Sequence, residues 1–133
     1  MALGAIRHHV VIDAPADAVW ALAGDPSRLT EWFPGIIDCR VDGTARTITT
    51  STGLTLPETI LVNDPVLRRF QYEITLPMFS FHRGTIDVLE FDFGRCVAVY
   101  ATEADPRAMA MMIGAGAARA LEILKHTCEK EQR

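Results

Sequence analysis

Met109-Ala-Met-Met-Ile-Gly-Ala-Gly-Ala-Ala-Arg-Ala-Leu-Glu-Ile-Leu-Lys-His-Thr-Cys128 decides how the rest of this chain must be arranged. Apolar side chains recur every three or four positions, placing Met109, Ile113, Ala117, Leu121, Leu124 and Cys128 on one stripe. Arg119, Glu122, His126, Glu129 and Arg133 fall on the opposite side. This period of 3.6 predicts a helix running from Pro106 towards the C-terminus. About 25 residues rising 1.5 Å each make it roughly 37 Å long. A helix with one apolar stripe needs an apolar surface of comparable length to cover it.

The preceding segment offers that surface. Strands are predicted near residues 36–42, 44–52, 54–62, 67–76, 80–91 and 95–104. The breaks fall at Asp42-Gly43, Gly53, Asn63-Asp64-Pro65, Pro77 and Gly94. Short turns between successive strands imply an antiparallel meander. Its clearest alternation sets Phe70, Tyr72 and Ile74 against Arg69, Gln71, Glu73 and Thr75. Upstream, Ile6, His8, Val10 and Ile12 share one face of a first strand. Two short helices follow, started by Pro15 and Asp25-Pro26 and ended by Gly24 and Pro34-Gly35. The expected fold is α+β: one domain over residues 1–133, with a curved antiparallel sheet wrapped around the last helix.

Length and composition agree with a folded domain. The chain has 133 residues, of which 49% are hydrophobic and 23% charged, so it can build an ordinary core. Thirteen Lys and Arg residues are scattered and the formal net charge is −4, which argues against a nucleic-acid partner or an anionic membrane surface. No apolar run reaches the roughly 18 residues of a spanning helix, and no continuous apolar stretch marks a signal peptide at the N-terminus. Cys39, Cys96 and Cys128 have no metal or disulfide spacing and read as reduced thiols, which points to a cytoplasmic protein. A monomer or weak homodimer is expected.

Two features bear on the interior. The helix segment 109–118 is rich in methionine and very small residues, and Gly114 and Gly116 each cost about 1 kcal/mol relative to alanine in a helix. Small side chains leave volume and methionines adapt to its contents; equally, small side chains let a helix approach a curved sheet closely. Trp32, Phe33, Phe79 and Phe81 lie at predicted element ends, where aromatics can line a pocket mouth.

The motif Ile12-Asp-Ala-Pro-Ala-Asp-Ala-Val-Trp20 is followed by Asp25-Pro-Ser-Arg-Leu-Thr-Glu-Trp32, then by Pro57-Glu-Thr-Ile-Leu-Val-Asn-Asp64, Arg68-Arg-Phe-Gln-Tyr72 and the closing helix. In this order the chain resembles the START-like helix-grip superfamily, also called SRPBCC, and within it the polyketide cyclase/dehydrase and lipid-transport branch. The resemblance covers nearly the whole chain. It implies a seven-stranded sheet gripping the last helix, with a tunnel for an apolar ligand such as a lipid, a polyketide, or an isoprenoid or aromatic molecule. The residues expected to line it are Trp32, Phe33, Leu56, Phe70, Tyr72, Ile74, Phe79, His82, Ile86, Tyr100, Met109, Met112, Ile113 and Gly116. Thr52-Gly53-Leu54 and His82-Arg83 are also similar to the gate and latch of plant hormone receptors in this superfamily, which implies that residues 51–57 and 78–83 flank the entrance. Members differ in their cavity lining, so the scaffold alone does not assign an activity. Three functions stay open: a binding module for an apolar molecule, a cyclase or dehydratase, and a protein-interaction module like the ribosome-associated or quinone-chaperone relatives.

His82, Tyr72 and Glu58 are the candidates for proton chemistry. His82 shares a face with Gly84, Ile86 and Val88, and the alternative role is a hydrogen-bonded histidine at a strand end. The Tyr72 hydroxyl needs a partner if buried, from protein or ligand. Glu58 lies either inward with Ile60 and Val62 or opposite a face of Thr59, Leu61 and Asn63, and pairing with Arg68 or Arg69 is its plainer expectation. Tyr100 competes in the same way with Val97, Val99 and Ala101. His8-His9 cannot chelate one ion, because adjacent strand residues face opposite ways. Ser27, Ser51 and Ser80 lack a nucleophile-elbow context, and Gly114-Ala-Gly116 sits inside a helix and not after a strand. Neither a metal nor a cofactor is expected.

Overall fold

The structure, a computed structural model, describes residues 2–133. Strand β1 (Gly4–Ile12) is followed by helix α1 (Ala16–Ala23) and a 3-10 helix (Pro26–Glu31). Strands β2 (Ile36–Asp42), β3 (Ala45–Thr50), β4 (Thr55–Asp64), β5 (Arg69–Ile74), β6 (Phe81–Asp92) and β7 (Arg95–Asp105) come next, and helix α2 (Arg107–Glu131) closes the chain. The second of the two expected short helices is thus a single 3-10 segment. Its start chemistry is as read: the Asp25 carboxylate accepts a hydrogen bond from the Ser27 amide at 3.0 Å, with proline at the first helical position.

All seven strands form one sheet in the order β1-β7-β6-β5-β4-β3-β2. Every pairing is antiparallel. The strands from β2 to β7 make the meander, and β1 joins its far edge beside β7. This is the helix-grip architecture. Even-numbered side chains face α2 along the later strands, which settles both ambiguous strands: Cys96, Ala98, Tyr100, Thr102 and Ala104 are buried on β7, and Glu58 is buried on β4. No described helix is long and apolar enough to cross a membrane.

Helix α2 packs mainly on β1 and β7, at one side of the sheet. Its buried face consists of Ala110, Gly114, Ala117, Ala120, Leu121, Leu124 and Cys128. Compared with the expected stripe, the contact has shifted from Met109 to smaller neighbours. The reason is close approach, since a Cβ built on Gly114 would stand 2.1 Å from Ile6 Cγ2. Small residues draw the first half of the helix against β1, and the concave face over β3, β4 and β5 is left partly uncovered. At the other end, α1 packs on β6 and on α2, with Val19 and Leu22 buried.

This close contact predicts an asymmetry between the two helix glycines. Gly114→Ala is expected to cost about 1–3 kcal/mol through overpacking, despite the better helix propensity of alanine. Gly116→Ala meets only the Phe33 ring edge at 3.2 Å and should be far milder. Urea unfolding of the two variants checks this, and equal stabilities would contradict it.

Candidate functional site

The uncovered part of the concave face is a cavity of about 320 Å³, within the range of small-molecule sites. Met112, Ile113 and Gly116 of α2 form one wall, and Ile48, Leu56 and Ile74 of β3, β4 and β5 form the opposite one. Leu29 and the segment Phe33–Ile36 close the side next to the 3-10 helix. Thr50 and Ser51 stand at the rim, where the Ser51 amide donates to the Gly35 carbonyl at 2.8 Å and ties two lining segments together. Gly116 bears no side chain where the Phe33 ring approaches, so this glycine makes room for a lining aromatic.

Three polar side chains, Glu58, Tyr72 and Tyr100, also line this space. Glu58 Oε1 accepts from Arg46 Nε at 2.6 Å, and the two side chains are 2% and 3% exposed. The same guanidinium donates to the Pro26 carbonyl at 3.2 Å and lies 5.1 Å from the ring centroids of both Phe70 and Tyr72. The expected pairing of Glu58 with Arg68 or Arg69 is therefore corrected. Arg68 binds Asp17 at 2.9 Å and Arg69 binds Asp87 at 2.7 Å, both at the protein surface. Register explains the outcome, because Arg46 stands directly opposite Glu58 across β3 and β4. Sequence reasoning missed Arg46; its place two residues before Ile48, on the same face of β3, was the available signal. Burial raises the Glu58 carboxyl above its ordinary value, and the guanidinium opposes that rise.

The hydroxyls of Tyr72 and Tyr100 lie 2.5 Å apart. Tyr72 reaches β7 because Gly84 intervenes on β6 without a side chain, and a Cβ there would sit 2.4 Å from the Tyr72 ring. Burial pushes both phenols up, Tyr100 to about 12 and Tyr72 well above its ordinary value, so both keep their protons near neutral pH. Phe33 and Trp32 pack on Tyr100 with ring centroids 6.0 Å away.

His82 lies elsewhere. It lines a smaller cleft of about 220 Å³ with Phe79, Leu76 and Phe81, bordered by Ile74, which is common to both spaces. Its Nδ1 accepts from the Ile74 amide at 2.9 Å, so the neutral ring carries its proton on Nε2. Burial pushes its pKa down to about 4. Of the remaining expected lining residues, Trp32, Phe70 and Ile86 are packed into the core and do not border the cavity. Met109 sits on the first turns of α2, away from it, because the helix contacts β1 through Ala110 and Gly114.

The fold, with its partly open cavity between sheet and helix, is that of a START-like helix-grip protein. Residues 4–129 match the family described as polyketide cyclase / dehydrase and lipid transport, and the chain belongs to that family. Its fold is shared with an uncharacterized protein from Bacillus thuringiensis, at 20% identity and a TM-score of 0.84, covering 94% of this chain and 98% of that one. It is shared too with the ZhuI aromatase/cyclase from Streptomyces sp. R1128, at 18% identity and a TM-score of 0.81, covering 99% and 97%. A third example is norcoclaurine synthase from Thalictrum flavum, at 22% identity and a TM-score of 0.73, covering 96% and 88%. No curated protein matches the sequence.

His82 makes stability depend on pH. Its pKa is about 4 when folded, against an ordinary value of 6.5, so the unfolded chain binds more protons between those values. Its contribution to stability is complete above pH 6.5 and is lost as the pH falls towards 4, with a slope of at most about 1.4 kcal/mol per pH unit. His82→Gln keeps an acceptor for the Ile74 amide and removes the titration. Urea midpoints measured from pH 4 to 7 should fall less steeply for the variant than for the parent; parallel curves would contradict the assignment.

Proposed function

We propose that this protein binds a small apolar molecule, a lipid, a polyketide, or an isoprenoid or aromatic compound, in the cavity beneath α2. The observation that carries the reading is the roughly 320 Å³ space walled by Phe33, Ile36, Ile48, Leu56, Ile74 and Ile113. Removing apolar surface from water contributes about 25 cal/mol per Å², so such a space favours an oily occupant over solvent. The exposed side chain of Met112, which lines the cavity, extends the apolar character outward. The family description, which includes lipid transport, supports the same reading.

A cyclase or dehydratase is the second reading, favoured by the other half of the family description and by the aromatase/cyclase that shares this fold. General base catalysis needs a group that can take a proton at the working pH. Here the Glu58 carboxylate is held by Arg46, both tyrosines retain their protons, and His82 opens on the other cleft. The geometry thus supports binding better than turnover. A protein-interaction module with a dry interior would leave this cavity without a role.

Fluorescence titration with the neutral probe N-phenyl-1-naphthylamine tests the proposal. Saturable binding is expected, and Leu56→Trp, which fills the space from β4, should weaken it about tenfold or more while the protein stays folded. Native mass spectrometry of protein purified from its own cells should show a retained apolar mass. Absent probe binding, or affinity unchanged by the filled cavity, would overturn the assignment.

A further inference from the structure

The polar corner of the cavity is unevenly equipped. Glu58 is 5% exposed overall yet lines the space, and its one side-chain hydrogen bond is the one Oε1 accepts from Arg46 Nε. Oε2 is left as an acceptor, beside the guanidinium that favours the carboxylate form. The tyrosine pair holds two hydroxyl protons, and only one is used in the hydrogen bond between Tyr72 and Tyr100. The other is a spare neutral donor. Glu58 and Tyr72 lie diagonally across β4 and β5, since Glu58 pairs with Ile74 and Ile60 pairs with Tyr72 in register. One acceptor and one donor therefore share a corner of a mainly hydrocarbon space, with Thr50 and Ser51 at its rim.

We infer that the ligand is an apolar molecule bearing a hydroxyl group at its buried end, with the hydroxyl donating to Glu58 Oε2 and accepting from the free phenolic proton of the Tyr72–Tyr100 pair. This rests on the binding reading above and narrows it to alcohols, phenols and enols. A ligand carboxylate would bring a second negative charge beside Glu58 in a poorly solvated site, which is costly. An ether or ketone has only acceptors, so it would satisfy the tyrosine and leave Oε2 desolvated without a partner. A hydroxyl matches both groups with one oxygen.

Three neutral probes that share the naphthalene ring separate the possibilities by calorimetry: naphthalene, 2-methoxynaphthalene and 2-naphthol. The inference expects 2-naphthol to bind about tenfold or more tightly than 2-methoxynaphthalene, because only the former donates a hydrogen bond to a charged group. In Arg46→Met/Glu58→Met, which replaces the buried pair by apolar side chains, naphthalene should still bind and the preference for 2-naphthol should collapse. Equal affinity of the parent for 2-naphthol and 2-methoxynaphthalene overturns the hydroxyl assignment and leaves the cavity reading standing. A preference that persists in the double variant overturns the role of Glu58. Failure of all three probes to bind overturns both. Equal affinities on the parent protein overturn the hydroxyl assignment whether or not the double variant folds.

Discussion

The contact between Gly114 and Ile6 governs this structure, because it places the long helix to one side of the sheet. A sheet of seven strands curled around one helix presents more apolar surface than that helix can cover. Alanines and glycines pull the helix against β1 and β7, where backbones approach closely. The deficit is thereby collected on the far side, over β3 to β5. A well-packed half and a hollow half follow from the same residues. Stability and ligand space are then served by different strands.

The hollow half carries an arrangement that packing alone would not select. A salt bridge buried to this degree contributes little net stability and is often matched by apolar residues of similar size. Arg46 and Glu58 are nonetheless inside, flanked by the rings of Phe70 and Tyr72, and Glu58 borders the cavity. Gly84 lets Tyr72 lie across β6 to meet Tyr100. These parts form one polar corner in an otherwise apolar space. Its groups are fixed by one another, the carboxylate by Arg46 and the two phenolic hydroxyls by their mutual hydrogen bond.

Much of the architecture was legible before any coordinates. The 3.6 period after Pro106 and the alternation through Phe70, Tyr72 and Ile74 reflect burial on one face, which local patterning records directly. The inward faces of β4 and β7 were not legible, because both strands alternate apolar residues on each side, as Val97 and Val99 show against Ala98 and Tyr100. The partner of Glu58 was missed for a related reason: register across the β3–β4 turn decides it, and register depends on where the hairpin turns. His82 was read on its correct face, but its separation from the main cavity depends on the position of Phe79 and the loop after β5, which periodicity does not encode. Met109 gave way to Ala110 and Gly114 on the buried face of α2, because close packing selects the smaller residue.

Diffraction from crystals pressurised with xenon tests the central claim most directly, since apolar cavities take up this gas. The account predicts xenon between Ile48, Leu56 and Ile113, with the helix still seated on β1 and β7. A space closed by inward movement of Phe33 and Met112, with no xenon between the helix and β3 to β5, would contradict it.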